Sequence, residues 1–317
     1  MKRALICGVS GQDGAYLAKL LVDKGYKVFG TSRDAQLNSF SNLKRLGVYD
    51  AVETHSMALT DFRSVIQVIS RVEPDEIYHL AGQTSVGLSF EQPVETFESI
   101  VTSAINLLEA IRFLNPKIRF FNAASSECFG NSMLERPATE QTPFYPRSPY
   151  AVAKAAAFWQ TANYRESYDL FATSGIVFNH ESPLRPERFV TKKIVSAASR
   201  ISKGNKEKLR MGNLEIVRDW GWAPEYVEAM YMMLQQVKPD DFIIATGQSY
   251  SLKEFLMKAF GFFDLDWQDH VEVVREFFRP SELLVSRGNP EKIRRMIGWS
   301  ASTSMSSIIN NMINEII

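Results

Sequence analysis

Two residues one helical turn apart, Tyr150 and Lys154, have the makings of a general base. Side chains four apart share a helix face, and an ammonium beside a phenol favours the phenolate, which lets the phenol accept a proton near neutral pH. Ser148-Pro149, just before them, has the form of an N-cap followed by proline at the first helical position. Upstream, an apolar run at residues 118–123 leads to Ser125, Ser126 and Glu127. A hydroxyl, a phenol and an amine can together take the proton of an alcohol as hydride leaves the same carbon. Glu127 is one group more than that oxidation needs, and a carboxylate there can remove the hydrogen alpha to the new ketone. Spacing alone also fits an ordinary surface helix with an unrelated Tyr and Lys, so the surrounding elements must decide.

Those elements alternate between strand and helix. Residues 4–7 read as a buried strand, Gly8-Val9-Ser10-Gly11-Gln12-Asp13-Gly14 as a tight turn, and residues 15–24 as an amphipathic helix with Leu17, Leu20 and Leu21 inward. Glycines here let the backbone approach a pyrophosphate at a helix N-terminus, so Gly8, Gly11, Gln12, Asp13 and Gly14 are expected to bind a dinucleotide. A second strand at residues 27–31 ends in Ser32-Arg33-Asp34. Ser32 stands where an NAD site places a carboxylate, and Arg33 suits a 2′-phosphate, so NADP is the expected cofactor; a register slip of two would bring in Asp34 and restore NAD. Residues 61–72 form a helix, residues 76–81 a strand containing a core histidine, His79, and Gly82-Gln83-Thr84-Ser85 a ligand-facing loop. Residues 93–113 read as one long helix with Phe97, Val101, Ile105, Leu108 and Ile111 apolar, and residues 118–123 as the fifth strand. The expected fold class is α/β, a Rossmann-like parallel sheet flanked by helices, with a smaller C-terminal substrate-binding lobe. The expected division is 1–178 and 179–317, with some elements of the second part returning to the first.

Composition narrows the function. The chain has 317 residues, and Lys+Arg 36 against Asp+Glu 36 cancel, so no net field draws nucleic acid. Two cysteines and four scattered histidines exclude a disulfide scaffold and argue against a metal centre. The first apolar run breaks at Gly8 and no later run could span a bilayer, which predicts a cytoplasmic protein with no membrane partner. In the second part, residues 170–178 read as a strand leading to Asn179-His180-Glu181, residues 189–202 as a helix carrying Lys192 and Lys193, and residues 305–317 as an amphipathic closing helix. Asn213, Arg218, Arg279 and Glu282 are polar points there, equally suited to surface salt bridges or, for the arginines, to forked contacts with a diphosphate.

On GVSGQDGAYLAKLLVDKGYKVFG, EPDEIYHLAGQTSVGLSFEQP, TPFYPRSPYAVAK, FNHESPLRPERFVTKKI and RDWGWAPEYVEAMYMMLQQ, the chain resembles the extended short-chain dehydrogenase/reductases and, within them, the GDP-mannose 4,6-dehydratase family, over nearly its whole length. The resemblance implies an NADP-dependent lyase with Ser125, Glu127, Tyr150 and Lys154 as its catalytic set. It adds Leu80, Ala81 and Gln83 to the cofactor contacts. It assigns Ser85, Asn179, Val190, Lys193, Arg218, Arg279 and Glu282 to GDP-mannose or a related nucleotide sugar, and implies a homodimer or homotetramer. Several positions depart from the family pattern: Ser125 replaces Thr, Ala58 replaces an adenine-contacting Asp, and Trp222 replaces His. The loop between Glu127 and Tyr150 is one residue longer, and the stretch after Arg33 lacks the arginine pair that reaches a neighbouring subunit. Competing expectations are an epimerase or reductase, which would use Tyr150 and Lys154 without Glu127 as an acid-base group, a UDP- or CDP-linked substrate, and a cofactor-binding scaffold without turnover.

Overall fold

The computed structural model describes residues 1–278 and 281–316. Short apolar runs become largely buried strands, Arg3–Cys7 (β1), Lys27–Ser32 (β2), Glu76–His79 (β4), Arg119–Ser125 (β5), Ala172–Val177 (β6) and Phe242–Ile244 (β7), and the more polar Val52–Ser56 (β3) joins them. They form one parallel sheet in the order β7-β6-β5-β4-β1-β2-β3. Strand order reverses beside β1, and the crevice at such a reversal is where doubly wound sheets bind ligands. β3 is an edge strand with only Val52 buried, so it carries no apolar run that the sequence could show, yet it makes β5 fifth in the chain as expected.

Helices cover both faces because each has one apolar stripe to bury. On one face Gln12–Asp23 (α1) inserts Leu17 and Leu21 beside Val227, Met230 and Met233 of Ala223–Leu234, a helix returning from the second part of the chain. Each such side chain stabilises the fold by about 1.5–3 kcal/mol when fully buried. On the other face Phe62–Val72 (α2) and Ser103–Leu114 (α3) close over the sheet with Val65, Ile69, Leu108 and Ile111. The single helix expected over residues 93–113 is interrupted: Pro93–Phe97 passes through a π-helical turn, Glu98–Thr102, before α3 begins. One inserted residue rotates the preceding turn by about 100°, which is why Phe97 is 46% exposed while Val101, Leu108 and Ile111 are buried.

The smaller lobe has its own core. Val190–Ser202, Leu252–Gly261 and Met305–Asn314 meet through Ile194, Ala198, Phe255, Leu256, Ile309 and Met312. The lobe is tied back to the main sheet by Trp220–Trp222, which pairs in parallel with Asn179–Glu181 directly beyond β6. Among the described residues no helix is long and apolar enough to cross a membrane.

Candidate active site

β5 stops at Ser125, and a 3-10 turn, Ser126–Met133, begins there. The Glu127 amide donates to Ser125 Oγ at 3.3 Å, which fixes how the acid leaves the strand. Gly130 sits at φ 52°, and a Cβ there would lie 1.9 Å from the Tyr145 carbonyl oxygen, so this fold-back admits only glycine. Beyond the loop, Ser148 Oγ accepts from the Ala151 amide at 3.1 Å and Pro149 opens the helix Pro149–Tyr168 (α4), as the sequence predicts. Tyr150 and Lys154 follow on its buried face. Lys154 Nζ donates to the Ala123 carbonyl at 2.7 Å and lies 5.8 Å from the Tyr150 ring centre.

Burial controls the protonation of this set. It pushes the Tyr150 phenol above its ordinary value, while the hydrogen-bonded Ser125 hydroxyl pulls it back in part. Burial also brings Lys154 down to about 8, against the opposing pull of Cys128 and Asp13, so the amine is still largely charged at neutral pH. The Lys154 ammonium is engaged by the Ala123 carbonyl, and desolvation is the largest influence on the phenol.

These groups line a cleft of about 420 Å³ between the lobes. Ser125, Glu127, Tyr150 and Lys154 meet there with Asp13, Leu80 and Ser85. From the smaller lobe come Asn179, Val190, Lys193 and Arg218. Glu282 is half-buried and is not among the lining residues, and Arg279 lies outside the described residues. Ser85 also caps the helix Val86–Glu91 by accepting from the Leu88 amide at 3.2 Å, and Gln83 braces that turn by donating to Thr96 Oγ1 at 3.1 Å.

The glycine turn lies at the β1 reversal and reaches the cleft's wall through Asp13. Gly8 has φ 88°, and a Cβ on it would meet the Ala81 amide nitrogen at 2.9 Å; one on Gly14 would meet the Gly8 oxygen at 2.3 Å. α1 opens at exposed Gly11 with no side-chain cap. Close backbone packing with an uncapped helix start is the donor arrangement a pyrophosphate requires, so these residues fit a dinucleotide. Arg33 is 83% exposed at its side chain and pairs with Glu95 at 3.2 Å. Asp34 Oδ1 accepts from the Gln36 amide at 2.9 Å and the Leu37 amide at 3.2 Å. At the substituted Ala58, the amide donates to Ser64 Oγ at 3.1 Å, and the substituted Trp222 packs against the second lobe's core.

Some site residues were not legible as such. Arg185, Arg188 and Arg210 line the cleft, so with Lys154, Lys193 and Arg218 six cations converge on it. The spacing of Arg185, Arg188 and Lys193 within one loop and helix start was the available signal. His180 Nε2 lies 2.9 Å from Asp13 Oδ2, and its Nδ1 lies 2.7 Å from the Phe178 carbonyl oxygen. Burial alone would raise Asp13, but the charge and hydrogen bond of His180, with Gln12, bring it down to about 2. Gln12 donates to the His180 carbonyl at 3.2 Å and accepts from Ser182 Oγ at 2.8 Å, so the glycine turn is latched to the smaller lobe.

Comparison with known proteins matches residues 5–312 to the family model described as GDP-mannose 4,6 dehydratase. GDP-mannose 4,6 dehydratase 1 of Arabidopsis thaliana is 44% identical over 99% of this chain and 89% of its own length. GDP-mannose 4,6 dehydratase 2 of Caenorhabditis elegans is 43% identical over 98% and 88%. The crystal structure of Thermus thermophilus UDP-glucose 4-epimerase in complex with NAD superposes with a TM-score of 0.86 at 25% identity, covering 99% of this chain and 98% of that one. The expectation of NADP is overturned on this finding, since that structure holds NAD. The position of Arg33 agrees with the correction, because its guanidinium is solvent-facing and shared with Glu95.

Proposed function

This chain belongs to the GDP-mannose 4,6-dehydratase family, and from that membership we infer that it converts GDP-D-mannose to GDP-4-keto-6-deoxy-D-mannose and water. The observation that carries the reading is Glu127, a carboxylate lining the same cleft as Ser125, Tyr150 and Lys154. Gly8, Gly11, Gln12, Asp13 and Gly14, with Leu80, Ala81 and Gln83, would hold a nicotinamide dinucleotide, NAD, which would supply a hydride acceptor at hexose C4 and a hydride donor at C6. Tyr150 takes the C4 hydroxyl proton, with Ser125 hydrogen-bonding O4 and Lys154 holding positive charge one turn away. The C4 ketone acidifies C5, and Glu127 takes that proton. The electron pair left at C5 forms the C5=C6 bond as the C6–O bond breaks, and the proton on Glu127 passes to the departing hydroxyl, which leaves as water; as C6 gains hydride, the pair of the C5=C6 bond returns to C5 and takes a solvent proton relayed by Glu127. Arg185, Arg188, Lys193, Arg210 and Arg218 suit the diphosphate by charge and, for the arginines, by forked geometry.

Incubation with GDP-mannose in deuterated water is expected to give a 4-keto-6-deoxy sugar with solvent deuterium at C5 and the former C4 hydrogen at C6. Oxidation at C4 without any 6-deoxy product would overturn the assignment. For the cofactor, titration of stripped protein at one ionic strength is expected to show NAD binding more tightly than NADP, and Arg33→Ala should change NAD affinity by no more than about fivefold, as for an exposed ion pair. A preference for NADP that Arg33→Ala erases would contradict this.

Self-association as a homodimer or homotetramer belongs to the same proposal. Val94, Phe97, Val152 and Trp159 support it, because they are exposed on two neighbouring helices. A cytoplasmic setting is supported by two free, buried cysteines, Cys7 and Cys128. The division of labour near residue 178, cofactor before it and sugar nucleotide mainly after it, is proposed on the separate cores of the two lobes.

A further inference from the structure

Oxidation and elimination draw on groups with different supports. Ser125 ends a central strand, and Tyr150 and Lys154 ride the helix packed on it, so their spacing is set by the sheet itself. Glu127 lies past the strand end, on a turn whose position depends on the strap of residues 128–147. That strap is fastened at several points. The Tyr145 amide donates to the Cys128 carbonyl at 2.8 Å, the Ala138 amide to the Arg287 carbonyl at 2.8 Å, and Glu140 Oε1 accepts from the Ile243 amide of β7 at 2.9 Å.

At the centre of the strap stands Phe144. Its ring meets Phe129, two residues after Glu127, edge-on at 5.1 Å between centroids. It meets Phe158, one turn beyond Lys154 on α4, at 4.8 Å, also edge-on, and Trp159 at 6.1 Å. Phe129 is fully buried and Phe158 nearly so, whereas Phe144 itself is half-buried. The Glu127 turn also meets the Tyr150 helix directly, through Cys128 Sγ and the Ala151 carbonyl at 3.8 Å, and one ring from the strap fills the space beside that contact and touches both elements.

We propose that Phe144 is a positioning residue for Glu127, a wedge that sets the carboxylate's place relative to Tyr150 and so governs elimination while leaving oxidation to the sheet. The proposal rests on the dehydratase assignment above and deepens it. Removing the ring takes away the packing that holds Phe129 and leaves the turn free to shift on the helix, and a displacement of about 1 Å at a reacting group can cost on the order of 100-fold.

The test separates the two steps in the protein loaded with NAD and GDP-mannose. Phe144→Ala is expected to slow C5 hydrogen exchange and 6-deoxy sugar formation by about 10–100-fold, while single-turnover formation of the reduced cofactor changes by less than about threefold. Phe144→Leu, which keeps most of the volume, should fall between and carries the test if the alanine variant does not fold. Thermal melting and KM for GDP-mannose are expected to move little in the leucine variant. Equal losses in both steps, or no loss in either, would overturn the wedge. Wild-type protein and Glu127→Gln run alongside keep the two readings distinct: a wild type that makes no 6-deoxy sugar removes the dehydratase reading and the wedge with it, whereas a normal wild type with proportional losses at Phe144 removes the wedge alone.

Discussion

Tyr150→Phe is expected to stop the reaction before anything else happens. The ring packs with Ile100, Val101 and Ala153 in a cluster that the substitution leaves intact, so the variant should fold and melt like the wild type. What it loses is the hydroxyl that partners Ser125, the group proposed to take the C4 proton. General-base contributions of this kind are worth about 10²–10⁴-fold, so single-turnover mixing with GDP-mannose and NAD should show reduced-cofactor absorbance rising slower by that factor. A second signature follows from burial, which holds the phenol protonated at neutral pH. Ionising it is part of the cost of the first step, so wild-type oxidation should speed up as pH rises through and above neutrality, and the variant's residual rate should not follow that rise. Wild-type-like cofactor reduction by Tyr150→Phe would assign the base to another group.

The site and fold were legible where the chemistry is local. Ser148-Pro149 announces α4 because a hydroxyl cap and a donor-free first residue satisfy one helix end by themselves. Leu17 and Leu21 announce α1 because 3.6-residue periodicity survives without knowledge of the partner helix. What failed depends on contacts between distant residues. Phe97 points outward because a π turn, visible in no local pattern, slips the helix phase. Lys154 donates its amine to a carbonyl 31 positions upstream, a contact that no local pattern announces. The pairing of Asp13 with His180, 167 positions away, and the wedge of Phe144 between Phe129 and Phe158 exist only after the lobes close. Arg33 shows the converse error, a residue type right for a 2′-phosphate whose side chain is spent on Glu95.

Glu127→Gln is the substitution that tells a dehydratase from its relatives. Hydride transfer from C4 needs only the phenol, the neighbouring hydroxyl and the cofactor, and none of these is altered by an amide at position 127. Loss of water across C5 and C6 needs a group that accepts the C5 proton and then returns one to a poor leaving group, which an amide cannot do. Because the Glu127 amide nitrogen, not its side chain, makes the bond to Ser125 Oγ, the turn should keep its shape in the variant. The expected result is a protein that oxidises C4 at close to the wild-type rate, accumulates reduced cofactor and a 4-keto sugar, and forms the 6-deoxy product slower by about 10²–10⁴-fold. Deuterium entry at C5 from heavy water should fall in step with product, since both follow removal of the same proton. An undiminished rate of dehydration by Glu127→Gln would show that another group moves the C5 proton. Loss of C4 oxidation in the variant, with its melting temperature unchanged, would instead place the carboxylate in the first step.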